Sequence, residues 1–381
     1  MPRIPVLDFI RGAALLGILL LNIVAFGLPD AAYLNPAWAG QVSLADALSW
    51  AVMDLLAQQK FLSVFALLFG AGLYMQLARG KCWLQARLLL LALFGLIHSL
   101  FFWQGDILLD YGLIGLLIWR MLGNAPASRL LRSGIMLYVC GSLVLILFGL
   151  LSRSQPGNSW LPGRADLQYE QYWHLHGGAL AFDSRLDALS DGLLALGAQY
   201  GWQLAGLMLI GAALMHNGWL QGGFSQAHYR RIALAGIACG MLINLLAIIM
   251  QWLTGWDYRW CAFYLQIPRE LSAPLKAIGY LALVFACWRR WQQGRVTRLI
   301  AAVGRMALSN YLLQTLICLA LFDYAGWFMA LDRIQLLGLV PGIWLINLLF
   351  SWFWLRHFSR GPLESLWHIL TRRLAGVAAA D

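Results

Sequence analysis

The chain has very few charged residues for its length. Asp, Glu, Lys and Arg make up 12% of its 381 residues, whereas hydrophobic residues make up 61%. Soluble domains carry about a quarter charged residues, which cover their surface, so a soluble fold of this length is excluded. Trp and Gly are abundant, with 19 and 38 residues, as is typical of close-packed membrane helices with aromatic belts at their ends. The composition predicts an all-α polytopic membrane protein.

Sequence signatures of several soluble activities are also missing. The chain has no P-loop, no GxGxxG after a strand, no HExxH and no GxSxG. Its six cysteines form no CxxC pair and lie mostly in apolar segments, which is typical of small buried side chains. His174 and His176 are too few ligands for a metal site, and we predict no metal. The Lys and Arg residues are scattered at the ends of apolar runs, so nothing indicates nucleic-acid binding.

Apolar runs of about 20 residues define the predicted membrane spans, since a helix of that length crosses the hydrocarbon core. Ten candidate runs, of 16 to 24 residues, are Leu7–Leu28, Leu56–Leu77, Leu84–Trp103, Ile107–Leu122, Leu131–Leu151, Leu193–Met215, Ile232–Leu253, Leu271–Trp288, Leu299–Phe322 and Leu336–Leu355. With the N-terminus in the cytoplasm, Lys and Arg residues are in clear excess on the cytoplasmic side of these alternating spans. The sequence therefore predicts about ten transmembrane helices, N-in and C-in.

The longest polar stretch, 152–189, contains Gly, Pro, aromatic residues and four acidic residues. It predicts a folded extracytoplasmic cap between two five-helix bundles, 1–151 and 190–381. Segment 254–275 contains Pro268 and Pro274 and is predicted either to begin a bent helix or to be re-entrant and line a cavity. No internal repeat is evident, so the inverted repeats of many secondary transporters are not indicated.

Polar side chains inside the spans are the candidate functional residues, because a charge at membrane depth is costly. Asp8 and Arg11 are three residues apart and can pair on one helix face. Asn22 projects from that face about 16 Å further along the axis. The alternative to a site-lining role is a snorkelling arginine and a helix-joining asparagine. Lys60, at the outer end of the second span, is expected to snorkel or to contact a substrate.

The third and fourth spans bring a histidine close to two acidic residues. His98 lies toward the outer end of the third span, and Asp106 is placed to cap the antiparallel fourth span. Asp110 and Tyr111 lie one turn deeper, at the level of His98. Since a histidine can take and give a proton near neutral pH, we predict His98 as a general base oriented by Asp106 or Asp110. Capping by Asp106 and hydrogen-bonded packing of His98 are the alternatives.

The ninth span carries polar side chains on successive turns. Arg305 and Ser309 are one turn apart, as are Asn310 and Gln314. Arg305 is expected about 9 Å from the cytoplasmic end of the helix, where a guanidinium binds phosphate or carboxylate well. These residues predict either a site for an anionic cofactor or hydrogen bonds between helices without a ligand.

Three segments resemble a known family. They read LDFIRGAALLGILLLNI from residue 7, HSLFFWQGDILLDYGLIGLL from residue 98 and GRMALSNYLLQTLIC from residue 304. They resemble the YeiB-type inner-membrane proteins of enteric bacteria, a family labelled domain of unknown function 418. The resemblance covers nearly the whole chain and implies a multi-pass protein of a bacterial inner membrane, in contact with its lipids.

A more distant resemblance implies a chemistry. The opening segment is similar to the first core helix of the acyltransferase 3 family and of the heparan-α-glucosaminide N-acetyltransferases, which carry acyl groups from cytoplasmic acyl-CoA to acceptors across the membrane. Arg11 matches the arginine of the acyltransferase 3 motif. Asn22 occupies the place of its catalytic histidine, and an amide cannot act as a general base. If the chemistry is shared, the base comes from elsewhere, and His98 is the only histidine inside a predicted span.

These observations combine into one hypothesis, in which the bundle encloses a cavity reaching from the cytoplasmic face to the outer half of the membrane. Arg11 and Arg305 hold the phosphates of an acyl-CoA-like donor. His98 deprotonates the hydroxyl or amine of an extracytoplasmic acceptor, and Asn22 or Tyr111 donates a hydrogen bond to the developing oxyanion. The other predicted donor-binding residues are Asp8, Ser309, Asn310 and Gln314. A small-metabolite transporter or exporter and a non-catalytic membrane scaffold are the alternatives.

Overall fold

The computed structural model of the chain describes residues 4–40, 42–152 and 156–376. Within these ranges the chain is helical, with no strand. Its α-helices are α1 (Pro5–Gly27), α2 (Leu44–Leu56), α3 (Lys60–Gln76), α4 (Lys81–Phe101), α5 (Leu108–Asn124), α6 (Ala127–Leu151), α7 (Arg164–His176), α8 (Gly178–Ala195), α9 (Gly201–His216), α10 (Gln226–Leu253), α11 (Gln266–Trp291), α12 (Arg295–Arg305), α13 (Ala307–Leu319), α14 (Arg333–His357) and α15 (Pro362–Leu374).

Nine helical runs in the described ranges are long and apolar enough to cross a membrane, so the predicted all-α polytopic membrane fold is confirmed. The fourth predicted span is α5, which has 17 residues and so extends about 25 Å. It packs antiparallel against α4. Gly95 and Gly112 allow the two backbones to approach closely. The orientation with both termini in the cytoplasm stays a prediction from the charge distribution.

The predicted ninth span, Leu299–Phe322, is two helices rather than one. α12 ends at Arg305, and Met306 leaves the helical conformation with φ −116° and ψ 38°. The carboxylate of Glu364 then accepts hydrogen bonds from the backbone N–H groups of Leu308 and Ser309, at 2.8 and 3.1 Å. A carboxylate at this position caps a helix N-terminus, so α13 starts as a new helix on a side chain contributed by α15.

The polar stretch predicted as an extracytoplasmic cap is helical from Arg164 onward, apart from Gly177, and its described residues before Arg164 are non-helical, with bends and turns. It forms α7 and most of α8, whereas residues 153–155 lie outside the described ranges. Segment 254–275 contains a π-helical turn at Trp260–Tyr264 and the first turns of α11, which continues through Pro274. This agrees with the bent-helix interpretation. Helices from the two predicted bundles pack against each other, α1 on α12 and α3 on α9, and the division at residues 151 and 190 stays a prediction.

α1 and α12 cross closely because each presents a glycine at the contact. A methyl group on Gly12 would collide with the backbone of α12, and one on Gly304 would collide with the backbone of α1. Small residues let membrane helices approach in this way. In the sequence Arg11 is adjacent to Gly12 and Arg305 is adjacent to Gly304. The crossing therefore brings both arginines to one end of the bundle.

Candidate functional site

A cavity of about 250 Å³, called here the inner cavity, lies between α1, α3, α4, α5, α13 and α15. Its walls are mostly apolar and include Leu15, Ile18, Phe65, Phe69, Leu88 and Leu91. Arg87 lies in the second turn of α4, whereas Tyr111 lies in the first turn of the antiparallel α5. These two lining residues therefore mark opposite ends of the cavity. One end is cationic, with Arg11, Arg87 and Arg305, and the other is phenolic, with Tyr111 and Tyr311.

A second space of about 520 Å³ adjoins the cationic end. The two spaces share Arg11, Arg87, Arg305 and Glu364 among their lining residues, so they are neighbours at these side chains. The arginines of this second space, called here the arginine mouth, are Arg11, Arg79, Arg87, Arg305 and Arg360. Only two acidic side chains, Asp8 and Glu364, line it among the described residues. The mouth is therefore strongly basic.

The positive charge of the mouth affects the ionisation of His368. It lines the mouth on α15, and burial together with the nearby guanidinium groups of Arg360, Arg87 and Arg79 lowers the pKa of His368 to about 4. A positive charge on the ring is therefore disfavoured by its surroundings. An anionic group is the complementary ligand for such a surface.

Individual arginines of the mouth are held in defined positions. Arg11 pairs with Asp8 across one helical turn, with 3.2 Å between Nη1 and Oδ1, and this confirms the predicted pairing. Arg87 stacks over the ring of Trp367, with its guanidinium carbon 3.4 Å from the ring centroid. Arg305 donates a hydrogen bond to the carbonyl oxygen of Ser359 at 3.1 Å. These contacts fix the guanidinium groups before any ligand is bound.

His98 forms a pair with Asp106 beyond the phenolic end of the inner cavity. Nδ1 of His98 lies 2.8 Å from Oδ1 of Asp106, and Nε2 lies 3.1 Å from Oγ1 of Thr315. The other oxygen of Asp106 accepts the backbone N–H of Leu109 at 2.9 Å. Asp106 thus both orients the imidazole and caps α5. These are the two interpretations of Asp106 that the sequence left open. The histidine is 2% exposed.

Two aromatic side chains separate His98 from the surrounding spaces. Tyr311 lines the inner cavity and contacts His98 with 5.4 Å between ring centroids. Its hydroxyl is buried close to the backbone of Ile107 without a hydrogen bond of ordinary geometry in the described part of the chain. On the opposite side, Phe102 stacks against His98 at 6.1 Å and lines a different cavity near the outer ends of the helices. His98 therefore lies in a thin partition between two cavities.

The other residues predicted to act with His98 are placed differently. Asp110 accepts a hydrogen bond from the hydroxyl of Tyr200, so it is not the carboxylate that orients the histidine. Tyr111 lines the inner cavity, and its hydroxyl donates to the carbonyl oxygen of Leu62 at 3.3 Å. Asn22 is half-buried and lies one turn beyond Ile18, outside the set of described residues that line the cavity.

Three residues predicted to contact a cofactor make bonds within the protein instead. Ser309 donates to Glu364 at 2.5 Å. Asn310 accepts from Asn347 at 3.0 Å, and Gln314 donates to Asn347 at 3.2 Å. These bonds join α13 to α14 and α15, which agrees with the alternative of hydrogen bonding between helices. Among the predicted donor-binding residues, the structure brings Asp8, Arg11 and Arg305 together at the mouth.

A group of charged side chains that sequence reasoning did not assemble is buried between α2, α3, α10 and α11. Asp54 forms an ion pair with Arg269 and accepts a hydrogen bond from Asn244 at 2.9 Å. Lys60 donates to the backbone carbonyl of Asp54, and Lys276 lies beside it. The two lysines are 1% and 0% exposed. The predicted snorkelling of Lys60 is therefore wrong, because its ammonium group turns inward to the carbonyl group.

Sequence reasoning also missed a second His–Asp pair, at the outer side. Nδ1 of His174, in α7, lies 2.8 Å from Oδ1 of Asp323, which follows α13. In the ranges that the structure describes, no group of three or more His, Cys, Asp or Glu side chains is placed to hold a metal ion.

The fold and the site define a class: an all-helical polytopic membrane protein whose bundle contains a basic mouth, an apolar cavity and a buried His–Asp pair. The chain belongs to the family described as "Protein of unknown function (DUF418)", whose model matches residues 214–373. No solved structure matches the chain.

Similarity to curated relatives extends over nearly the whole chain. It is 58% identical to "Uncharacterized protein YeiB" of Escherichia coli (strain K12), over 99% of this chain and 98% of that protein. It is 29% identical to "Uncharacterized protein YxaH" of Bacillus subtilis (strain 168), over 97% and 94% of the two chains. A 39.9 kDa protein of Bacillus acidopullulyticus is 26% identical over the same shares. The predicted family is therefore confirmed.

Proposed function

We propose that the protein is an acyltransferase of a bacterial inner membrane. It moves an acyl group from an acyl-CoA-like donor in the cytoplasm to an acceptor hydroxyl or amine at the outer side. The single observation that carries this proposal is that the arginine mouth adjoins the apolar inner cavity, which ends one aromatic layer from His98. A ligand with a polyanionic head and a long, uncharged arm fits this sequence of environments.

The mouth supplies the chemistry for the anionic head of the donor. Guanidinium groups present planar pairs of N–H donors that match phosphate oxygens, and they remain charged at any physiological pH. Arg11, Arg87 and Arg305 line both spaces, so they lie where the head ends and the arm begins. The apolar walls beyond them favour a chain of methylene groups over water.

His98 supplies the base for the transfer. Asp106 is bonded to Nδ1 of the ring, and Nε2 is bonded to Thr315. In the proposed step, Nε2 exchanges Thr315 for the acceptor and takes its proton. The acceptor oxygen or nitrogen forms a bond to the thioester carbonyl carbon, the carbon–sulfur bond breaks, and the leaving thiolate takes the proton from the imidazolium. In this proposal the hydroxyl of Tyr311 or Tyr111 stabilises the oxyanion.

A small-metabolite transporter is the second candidate function. It is favoured by the buried charges of Asp54, Lys60, Arg269 and Lys276, since ionisable side chains inside a membrane bundle often mark an ion or substrate path. This function requires the ligand to cross intact, without covalent change.

The test uses purified protein in liposomes with acetyl-CoA, and it measures released CoA and acetylated product by chromatography. We expect His98→Ala to lower turnover at least about 100-fold, the usual range for a general base. His216→Ala, at an exposed histidine at the end of α9, is the matched control and should change turnover less than about twofold. Equal turnover in the two variants contradicts the proposal. Passage of unmodified ligand into the liposomes supports the transporter instead.

A further inference from the structure

A separate cavity of about 610 Å³, called here the outer cavity, lies between the outer ends of α4 and α13 and the cap helices α7 and α8. Among the described residues it shares none of its lining with the inner cavity. The lining that matters for the argument is Phe101, Phe182, Leu316, Tyr324, Arg185 and Asp323. A space of this size suits a compact ligand, since small-molecule sites occupy roughly 300 to 1,000 Å³.

One end of the outer cavity is polar, and the position of its carboxylate is fixed. Oδ1 of Asp323 is bonded to His174, whose ring is held between Trp173 and Phe328 with 3.8 Å between centroids on each side. Oδ2 of Asp323 then faces Arg185, with 3.8 Å between the charged atoms. That distance is too long for a hydrogen bond, so this pair leaves hydrogen-bonding capacity on both partners.

The guanidinium group of Arg185 has N–H donors that are weakly bonded or not bonded within the described part of the protein. Its Nη1 reaches the carbonyl oxygen of Phe101 only at 3.4 Å. Its Nε is buried without a hydrogen-bond partner in the described ranges. A buried polar atom without a partner is costly. The site therefore offers a cation and an anion side by side, with unused donors on one and an unused acceptor on the other.

The other end of the outer cavity is apolar and open to the side. Phe101 is 60% exposed, Leu316 is 51% exposed and Tyr324 is 89% exposed. Phe101 and Leu316 belong to helices long and apolar enough to span the membrane, so we expect these faces to meet lipid. A ligand can therefore enter from the membrane, with its polar part toward Arg185 and its apolar part along Phe101.

We propose that the outer cavity binds the headgroup of a phosphatidylethanolamine-type lipid. The phosphate pairs with Arg185 and the ammonium group with Asp323. A guanidinium forms charge-assisted hydrogen bonds with phosphate, and an ammonium forms them with a carboxylate. An anionic phospholipid can pair only with Arg185, and the negative charge of Asp323 repels it. A choline headgroup has no N–H to donate to the carboxylate. This site needs no acyl donor, so it stands apart from the proposed transfer.

The test measures the Kd of short-chain phosphatidylethanolamine, phosphatidylcholine and phosphatidylglycerol with identical chains, each below its micelle concentration, on the purified protein without acyl donor. We expect the ethanolamine lipid to bind at least about tenfold more tightly than the other two. Arg185→Gln should weaken all three lipids by about tenfold, whereas Asp323→Asn should abolish only the preference for ethanolamine. Asp183→Asn, on the same cap helix and exposed, is the matched control and should leave every Kd unchanged.

Three results would overturn the proposal: equal affinity for the three lipids, an ethanolamine preference that survives in Asp323→Asn, or unchanged binding in Arg185→Gln. A fourth arm uses glycerophosphoethanolamine, which has the headgroup without chains. If this probe binds as tightly as phosphatidylethanolamine, the lipid-facing rim does not contribute to binding, and a lipid ligand is contradicted. Thermal unfolding of each variant shows whether it is folded, and the two variants act on opposite charges, so either one alone tests the site.

Discussion

The two His–Asp pairs have the same internal geometry and different surroundings. In each, Nδ1 of the histidine lies 2.8 Å from a carboxylate oxygen. The second oxygen of Asp106 accepts a backbone N–H from α5, whereas the second oxygen of Asp323 faces the guanidinium of Arg185. The charge of Asp106 is thus available to His98, but that of Asp323 is shared with a cation. The geometry of a His–Asp pair therefore does not determine its role. The groups around the pair determine it.

Removing the charge of each carboxylate gives the largest expected contrast. Asp106→Asn removes the charge that stabilises a protonated His98. It keeps one oxygen where Asp106 uses two, one for Nδ1 of His98 and one for the backbone N–H of Leu109. We expect acyl transfer to fall about 100-fold or more. Asp323→Asn should change turnover less than about twofold. Both are measured as CoA release at saturating acetyl-CoA, and a loss of equal size in both variants would show that the two pairs are not functionally distinct.

Substituting one arginine at each of the two sites should give the next largest contrast. Arg87→Gln removes a guanidinium at the junction of the mouth and the inner cavity, so we expect the Kd for CoA to rise about tenfold, equivalent to about 1.4 kcal/mol. The effect should shrink at high salt, because screening weakens the attraction. Arg185→Gln and the exposed Arg230→Gln should leave CoA binding unchanged. Titration of CoA into each variant measures this, and an unchanged Kd in Arg87→Gln would separate the mouth from donor binding.

The contrast also explains what could be predicted from the sequence. Asp8 and Arg11 are three residues apart, and His98 and Asp106 are eight apart across one tight turn. Helix periodicity and a short connection are enough to place such side chains together. The predicted spans coincide with helical segments for the same reason, because each depends only on a continuous apolar run; the exception is the ninth, which is divided at Met306.

Contacts between distant helices could not be predicted in this way. His174 and Asp323 are 149 residues apart, and Asp54 and Arg269 are 215 apart. A single sequence shows which face of a helix is polar but not which helix that face meets. The break at Met306 belongs to the same group, since it depends on a cap from Glu364 in another helix.

Tyr311 tests the partition between His98 and the inner cavity. Tyr311→Phe keeps the ring that packs against His98 and removes only the hydroxyl. If that hydroxyl stabilises the oxyanion, turnover should fall about tenfold while the Kd for CoA stays the same. Phe102→Leu, on the outer side of the histidine, alters packing without removing a polar group and should act less on turnover. A weaker CoA affinity without a change in turnover would place Tyr311 in donor binding.

The smallest expected effect concerns pH at the outer pair, which has titratable neighbours. Glu170, in α7, accepts the backbone N–H of Asp30 at 2.9 Å, and burial together with the nearby charge of Asp30 raises the pKa of Glu170 to about 7. Burial also raises the pKa of Asp30, against the opposing effect of His174. Because the folded-state pKa of Glu170 lies above the unfolded value of about 4.3, its contribution to cap stability is complete below that value. It is lost as the pH rises through about 7.

Hydrogen exchange of the α7 amides, corrected for the intrinsic effect of pH on exchange, measures this contribution as local opening. Between pH 5 and pH 8 we expect the protection of α7 to fall by at least about tenfold in the wild type, since each unit of difference between the folded and unfolded pKa of Glu170 corresponds to a factor of ten. Glu170→Gln keeps the acceptor for Asp30 but cannot ionise, so its protection should fall less. The exposed Asp183→Asn should behave as the wild type. An identical pH dependence in Glu170→Gln would mean that the titration of the outer region has its origin in Asp30 or His174 and not in Glu170.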